Sequence, residues 1–411
     1  MPNKLDKNLI VGLDIGTSKV VAIIGEVTPE GEIDIIGVGC HPSRGLKKGV
    51  VVNIDSTVRS MQCAVEEAKA MAGCQIHSVV TGIAGSHIRS FNSNGIVAIR
   101  DQEVTEQDVE RVIETAKAVA IPADQKILHV LPQEYTIDGQ TGIREPLGMS
   151  GVRLEVKVHM VSGAVSAAQN IVKCIHRCGL EVQDIILEQL ASSYAVLTED
   201  EKQLGVCLID IGGGTTDIAI FTDGAIRHTA VIPVAGDQVT NDIAVALRLP
   251  TPSAEIVKIQ YACASTKLTS TDELFEVPTQ EDRAARRFSR MMLAEIVEPR
   301  YEELFSLVLA EIRRSGLEEL IGSGIVVTGG SARMEGVVEL SEEIFNMPSR
   351  LGVPRDVYGL VDIVRNPIYS TGVGLLIHGN QSQKQRQTDL ISNQGFNGFF
   401  GRMKSWFQGN F

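Results

Sequence analysis

Two short turns combine glycine with carboxylate and hydroxyl side chains. Residues of these types are suited to binding phosphate and metal ions. The first runs from Asp14 to Lys19 (Asp-Ile-Gly-Thr-Ser-Lys), and the second from Asp210 to Asp217 (Asp-Ile-Gly-Gly-Gly-Thr-Thr-Asp). Glycine lets backbone N–H groups approach phosphate oxygens, the hydroxyls add donors, and the lysine adds a positive charge. Asp14 and Asp210 suit a hydrated Mg²⁺ that is held through water and phosphate. The turns therefore predict a site for a nucleoside triphosphate with Mg²⁺.

The elements around the two turns repeat along the chain. Each turn lies between two apolar runs, as in Leu9–Asp14 and Val20–Ile24, and a third apolar run and a helical pattern follow. Either turn alone is equally explained as a β-hairpin in which Gly and Asp only make the turn. Because both occur at the same place in two similar regions 196 residues apart, we predict a duplicated α/β fold whose turns face each other across a cleft.

Three further segments interrupt this pattern. Residues 84–163 contain alternating stretches and one helix capped at Thr105, which predicts a small α+β insertion. Residues 281–314 have a charged helical pattern that we expect to break at Pro299. Residues 380–395 are rich in Gln and Ser, which predicts a flexible linker.

Composition excludes several classes of protein. The 411 residues have a net charge of −13, which argues against a nucleic-acid-binding surface. No apolar run approaches the roughly 18 residues of a transmembrane helix, and the first residues lack the apolar region of a signal peptide. Seven cysteines, an odd number, favour a reducing compartment without a disulfide framework. We expect a cytoplasmic protein.

Other chemical signatures are absent or weak. The sequence has no G-x-x-x-x-G-K-[ST], G-x-G-x-x-G or G-x-S-x-G motif. Cys174 and Cys178 are spaced to share a helix face, but no further ligand has zinc spacing, so we interpret them as buried apolar residues.

The last 16 residues hold six aromatic side chains, including the single Trp. On a helix, residues 396–411 present an apolar face next to two basic residues, as in helices that lie on anionic membranes. The membrane-contacting residues are predicted to be Phe396, Phe399, Phe400, Arg402, Met403, Lys404, Trp406 and Phe407. The alternative is a helix that packs on the protein itself or on a partner.

The two turns resemble the phosphate 1 and phosphate 2 loops of the actin, sugar kinase and heat-shock chaperone superfamily. Thr328-Gly-Gly-Ser331 resembles its adenosine loop, and Ala254-Glu-Ile-Val-Lys258 the helix that flanks adenine and ribose in bacterial actins. The resemblance places Glu188 where the superfamily positions the attacking water. It implies ATP and Mg²⁺ as ligands and the following nucleotide-binding residues: Asp14, Gly16, Thr17, Ser18, Lys19, Asp210, Gly212, Gly213, Gly214, Thr215, Thr216, Asp217, Gly236, Glu255, Lys258, Gly329, Gly330 and Ser331.

Within that superfamily the whole chain resembles the FtsA family of bacterial cell-division proteins. Matching segments include Leu131-Pro-Gln-Glu-Tyr135 and Pro146-Leu-Gly-Met-Ser-Gly151 in the insertion, and Tyr369-Ser-Thr-Gly-Val-Gly-Leu375 near the end. The resemblance implies an actin-like fold of two ribonuclease H-like halves with an inserted subdomain and a C-terminal amphipathic helix. Its subdomains would be IA (1–83, completed by 164–200 and 365–379), IC (84–163), IIA (201–243, completed by 315–364) and IIB (244–314), followed by the linker 380–395 and the membrane helix 396–411.

Two classes of function follow from these observations. The family resemblance implies an ATP-binding protein that polymerises at the division septum on the cytoplasmic face of the inner membrane. Subdomain IIB would bind the C-terminal peptide of FtsZ, and subdomain IC would bind later division proteins. The alternatives are a small-molecule kinase of the same superfamily or a cell-shape actin homologue. The aromatic tail favours the membrane-bound adaptor, with at most slow ATP hydrolysis, because a kinase has no use for a lipid anchor.

Overall fold

The computed structural model describes residues 8–277 and 286–392. Its first elements come from the long apolar runs of the N-terminal region. They are β1 (Leu9–Ile15), β2 (Lys19–Val27), β3 (Ile33–Pro42), β4 (Leu46–Lys47), β5 (Val50–Val51), α1 (Ile54–Ala72) and β6 (Ser78–Ile83). Helix α1 begins where the Asn53 side chain accepts a hydrogen bond from the N–H of Ser56, and it ends at Gly73 in the left-handed region.

Residues 84–163, here called the insertion, build a separate sheet with one helix. Its elements are β7 (Arg89–Ala98), α2 (Glu106–Lys117), β8 (Gln125–Ile137), β9 (Gln140–Ile143) and β10 (Arg153–Ala164, which ends one residue beyond the insertion). The strands are antiparallel in the order β7-β10-β8-β9. The predicted cap at Thr105 is confirmed, because its hydroxyl and the Asp108 carboxylate cap one another's backbone N–H.

The chain then returns to the first half and continues into the second. The connecting elements are α3 (Val165–Arg177), β11 (Glu181–Leu187), α4 (Glu188–Val196) and α5 (Glu199–Leu204). The second half contains β12 (Val206–Ile211), β13 (Thr216–Thr222), β14 (Ala225–Ile232), α6 (Gly236–Leu247), α7 (Thr251–Tyr261), β15 (Leu274–Val277), β16 (Arg286–Ser289), α8 (Arg290–Ser315), β17 (Ile325–Thr328), α9 (Val337–Phe345) and β18 (Ser349–Leu351). The last elements are β19 (Tyr358–Gly359), α10 (Val361–Val364) and α11 (Ser370–Ser392).

The two main sheets repeat one topology. The first has the order β11-β6-β1-β2-β3-β19, and the second has the order β14-β13-β12-β17-β18. In both, an antiparallel three-stranded unit (β1-β2-β3 or β12-β13-β14) is extended by a parallel strand (β6 or β17). The predicted duplication is thus present, and each Gly turn joins the first two strands of its unit.

Two predictions about helices are wrong. Helix α8 runs through Pro299 without a break, because neighbouring side chains such as Val297 and Tyr301 are buried in the core of the second half and hold the helix in place. Residues 380–392, predicted as linker, continue α11. The first part of that helix is packed in the core through Leu375 and Leu376. Further along it, the side chains of Asn380 and Lys384 donate to the carbonyl of Gly31.

Within residues 8–277 and 286–392, no helix has the length and apolar character needed to cross a membrane. All seven cysteines are free, as predicted.

Candidate functional site

The first Gly turn connects β1 to β2 and is braced by the segment that follows β3. Asp14, at the end of β1, is buried, and Lys19 starts β2. The N–H of Gly49 donates to Oγ1 of Thr17 over 3.1 Å, and the N–H of Ser43 donates to the Ser18 carbonyl over 3.0 Å. These bonds fix the turn that the sequence predicts to approach phosphate.

The second Gly turn lies directly against the first. A Cβ atom added to Gly213 would collide with the Ser18 side chain, and one added to Gly214 would collide with Thr17. Glycine is therefore required here for the close approach of two loops from different halves. The two turns do face each other, as the duplicated pattern predicts.

Most of the predicted residues line one cleft between the halves. The empty space of this cleft, counted together with its open mouth, is about 560 Å³. The predicted residues that line it are Asp14, Gly16, Thr17, Ser18, Lys19, Glu188, Asp210, Gly212, Gly213, Gly214, Thr215, Asp217, Gly329 and Gly330. The sequence reasoning missed Ile15, Gly49, Pro367, Ile368 and Thr371.

Four carboxyl groups share this cleft with one lysine. Burial raises the pKa of Asp14 to about 6, with Lys19 opposing the shift and Asp210 adding to it. Burial and the neighbouring Asp210 raise the pKa of Asp217 to about 8. Burial, and then the charges of Asp14, Asp217 and Asp210, raise the pKa of Glu188 well above its usual value. Burial also raises the pKa of Asp210, opposed by hydrogen bonds from Ser192 and Thr371 and by Lys19.

These groups fit a divalent cation. Desolvated carboxylates close to one another resist ionisation, and a cation between them would favour the charged form. One oxygen of Asp217 is buried without a hydrogen-bond partner, while its other oxygen accepts from Thr215 over 3.0 Å. In the described part of the chain, no three His, Cys, Asp or Glu side chains are grouped to hold a metal directly. Contact of Asp14 and Asp210 with Mg²⁺ through water therefore stays a prediction.

The residues predicted to flank adenosine form a neighbouring cluster. Lys258 pairs with Glu255 at 2.7 Å and donates to the Gly236 carbonyl over 3.2 Å. The Ser331 hydroxyl donates to the Gly212 carbonyl over 2.8 Å, which connects this cluster to the second turn. The cleft lining described above does not include Gly236, Glu255, Lys258 or Ser331.

Two groups of predicted residues lie elsewhere. Thr216 does not line the cleft, because its hydroxyl donates to the Val234 carbonyl over 2.8 Å within the strands of the second sheet. The membrane-contacting residues Phe396, Phe399, Phe400, Arg402, Met403, Lys404, Trp406 and Phe407 lie outside the described residues.

Comparison with known proteins identifies the family. The family model described as "Cell division protein FtsA" matches residues 207–374, and the model described as "SHS2 domain inserted in FTSA" matches residues 85–162. A relative named cell division protein FtsA from Pseudomonas aeruginosa is 66% identical over 98% of both chains. The chain belongs to the FtsA family of cell division proteins. FtsA proteins of Neisseria meningitidis and Escherichia coli K12 are 51% and 46% identical, over 97% and 99% of this chain and 98% and 99% of theirs.

Solved structures confirm the actin-like fold of this FtsA-family chain. The PilM–PilN complex of type IV pilus biogenesis has a TM-score of 0.67 at 16% identity, covering 91% of this chain and 99% of that one. MreB5 of Spiroplasma citri, solved with bound ADP, has a TM-score of 0.53 at 15% identity, covering 94% and 100%. The predicted two-half fold with an inserted α+β subdomain is thus confirmed for the described residues.

Proposed function

We propose that this protein binds ATP with Mg²⁺ between its two halves. The observation that carries the proposal is the direct contact of the two turns, Gly213 and Gly214 against Thr17 and Ser18. Beside them lies a cluster of carboxyl groups in which the pKa of Asp217 is raised and one of its oxygens has no hydrogen-bond partner. Backbone N–H groups of both turns and Lys19 would hold the phosphates. Asp14 and Asp210 would hold water on Mg²⁺, which offsets phosphate charge when bound. Glu188 would orient a water molecule if hydrolysis occurs.

The test is thermal unfolding with and without ATP and Mg²⁺. A ligand at about 100 times its Kd contributes roughly 2.7 kcal/mol to the folded state. With an unfolding entropy of about 2.1 cal/mol/K per residue, this raises the melting temperature of a 411-residue chain by about 3 °C. Asp210→Ala should remove the shift. An Asp138→Ala variant, changed at an exposed carboxylate of the insertion, should keep it. Equal melting temperatures of the unaltered protein with and without ligand would refute nucleotide binding.

We further propose that the protein polymerises on the cytoplasmic face of the inner membrane at the division septum and attaches FtsZ filaments there. Membership of the FtsA family and the basic, aromatic tail support this role. The FtsZ C-terminal peptide would bind residues 244–314, whose exposed Ile256 and Ile259 suit an apolar partner. Later division proteins would bind the insertion. Ile259→Ser should weaken peptide binding in a direct titration, whereas Leu147→Ser, at an exposed apolar residue of the insertion, should not.

Flotation with anionic vesicles tests the membrane role. The full chain should float, and a chain ending at Ser392, which keeps every described element, should not. Trp406→Glu introduces a charge on the predicted apolar face and should abolish flotation. Ser405→Glu introduces the same charge on the opposite face and should only weaken it. If the shortened chain floats as well as the full chain, the tail is not the anchor.

A further inference from the structure

The insertion is joined firmly to the first half. Ile88, Leu128 and Val161 of the insertion are buried in the same apolar core as strands β1 and β2. The backbone N–H of Leu187 in β11 donates to Nε2 of His129 in β8 over 3.0 Å. The chain also enters and leaves the insertion through β6 and α3 of the first half, so the insertion is an extension of that half.

The insertion also contacts the second half at β14, the outer strand of the second sheet. The Ser90 hydroxyl donates to the Thr229 carbonyl over 2.8 Å. The Gln133 amide donates to the Ile226 carbonyl over 2.9 Å. Both bonds join β7 or β8 of the insertion to backbone oxygens of β14, so they cross from one half to the other.

A buried histidine completes this interface. His159 is 1% exposed and Thr229 is 4% exposed. Nε2 of His159 lies 2.9 Å from Oγ1 of Thr229, and its Nδ1 lies 2.8 Å from Oδ1 of Asn92. Such buried bonds depend on geometry, and a small displacement of β14 would leave the partners unpaired without water to replace them.

The base of the insertion reaches the first Gly turn as well. A Cβ atom added to Gly49 would lie 2.8 Å from Cα of Gly85, which lies in the segment leading into β7. Gly49 in turn bonds Thr17, and Thr17 touches Gly214 of the second half. The insertion is therefore in physical continuity with the cleft at one end and with β14 at the other.

We propose that Ser90, Gln133 and His159 are positioning residues that hold the cleft closed by fastening the insertion to β14, and that they thereby set the rate of nucleotide release. The inference rests on the proposed nucleotide site. Separating the halves far enough to free the ligand would also break these three contacts with β14. A division protein that binds the insertion and loosens these contacts would speed nucleotide exchange.

The test measures how fast a fluorescent ADP analogue leaves the full-length protein when excess ADP and Mg²⁺ are added in a stopped-flow experiment. Ser90→Ala removes a hydrogen bond that crosses between the halves. Its matched control is Ser93→Ala on the same strand, which removes a bond of the same length, 2.8 Å, to the Ala116 carbonyl within the insertion. A typical hydrogen bond corresponds to a change of roughly twofold to tenfold in an equilibrium constant.

We expect release to be roughly twofold to tenfold faster for Ser90→Ala and faster still with Gln133→Leu added, with no change for Ser93→Ala. Ser90→Thr keeps the hydroxyl and should restore the slow rate, which separates positioning from a general loss of stability. Equal release rates for Ser90→Ala and Ser93→Ala would overturn the inference while leaving nucleotide binding intact. Failure of the unaltered protein to bind the analogue would instead overturn the proposed nucleotide site and this inference with it.

Discussion

The two halves of the molecule meet in the cleft and at the contact between the insertion and β14, and polar groups are arranged differently in the two places. In the cleft, one oxygen of Asp217 is buried without a partner, and four carboxyl groups have raised pKa values. At β14, no side-chain atom of Ser90, Gln133 or His159 is buried without a partner.

This difference separates an interface whose polar side chains pair within the protein from a cleft in which one buried carboxylate oxygen has no partner in the protein. Buried polar groups are almost always paired in folded proteins, because an unpaired one costs about 1–3 kcal/mol. The interface at β14 obeys that rule with the protein's own atoms. The cleft departs from that rule at one oxygen of Asp217, which supports the proposed site for a nucleotide and Mg²⁺.

The largest effect should come from filling the contact between the turns. Gly214→Ala places a methyl group against Thr17 and should force the halves apart, which removes the ATP-dependent melting shift of about 3 °C. Gln140→Ala, at an exposed residue of the insertion away from the cleft, should keep the shift. A full shift in Gly214→Ala would show that the turns need not approach so closely.

Removing a polar group should have opposite effects on stability in the two places. Without ligand, Asp217→Asn relieves the crowded carboxyl groups and should raise the free energy of unfolding at pH 7.5. Gln133→Leu leaves the Ile226 carbonyl unpaired and should lower it by about 1–3 kcal/mol. Urea unfolding of both variants measures whether the free energy of unfolding rises or falls relative to the unaltered protein. The contrast fails if Asp217→Asn destabilises the protein as much as Gln133→Leu does.

The smallest effect concerns the pH dependence of the interface. Burial, and then the nearby His228, lower the pKa of His159 to about 4, whereas an unfolded histidine titrates near 6.5. Between these values the unfolded chain binds more protons, so stability is lost as the pH falls from 6.5 towards 4. Between pH 7 and pH 5.5 this loss of stability grows by about 1.2 kcal/mol.

His159→Gln should remove that part of the pH dependence in urea titrations at the two pH values. His228 and Glu311, which lie nearby and are paired, are present in both proteins, so their contributions cancel. A profile for His159→Gln that matches the unaltered protein would show that His159 titrates normally.

Local pattern was sufficient to predict the duplicated halves and most of the cleft. A Gly turn between apolar strands, such as Asp14–Lys19, predicts a β-hairpin from a few residues. The same residues predict contact with phosphate. Thr371 and Gly49 were missed, because they reach the cleft through the packing of α11 and of the segment after β3. No spacing rule connects those segments to the turns.

The wrong predictions share a physical cause. Pro299 and the polar residues 380–392 were assigned from local preference, and tertiary contacts decided otherwise. A helix that is buried on both sides of Pro299 tolerates one missing hydrogen bond. Likewise, Leu375 and Leu376 are buried in the first part of α11, and the following polar residues only have to extend a helix that is already packed.

Helix α11 also determines which half of the molecule is connected to the predicted membrane segment. Its 23 residues make a rod about 34 Å long. The rod starts beside Asp210 at Thr371, packs along β1 and β2, and ends four residues before the predicted membrane segment. A membrane-bound tail that follows this helix would attach the first half, rather than the second, to the lipid surface. Opening of the cleft would then move the second half, with the proposed FtsZ-binding region, relative to the membrane, while the first half kept its position.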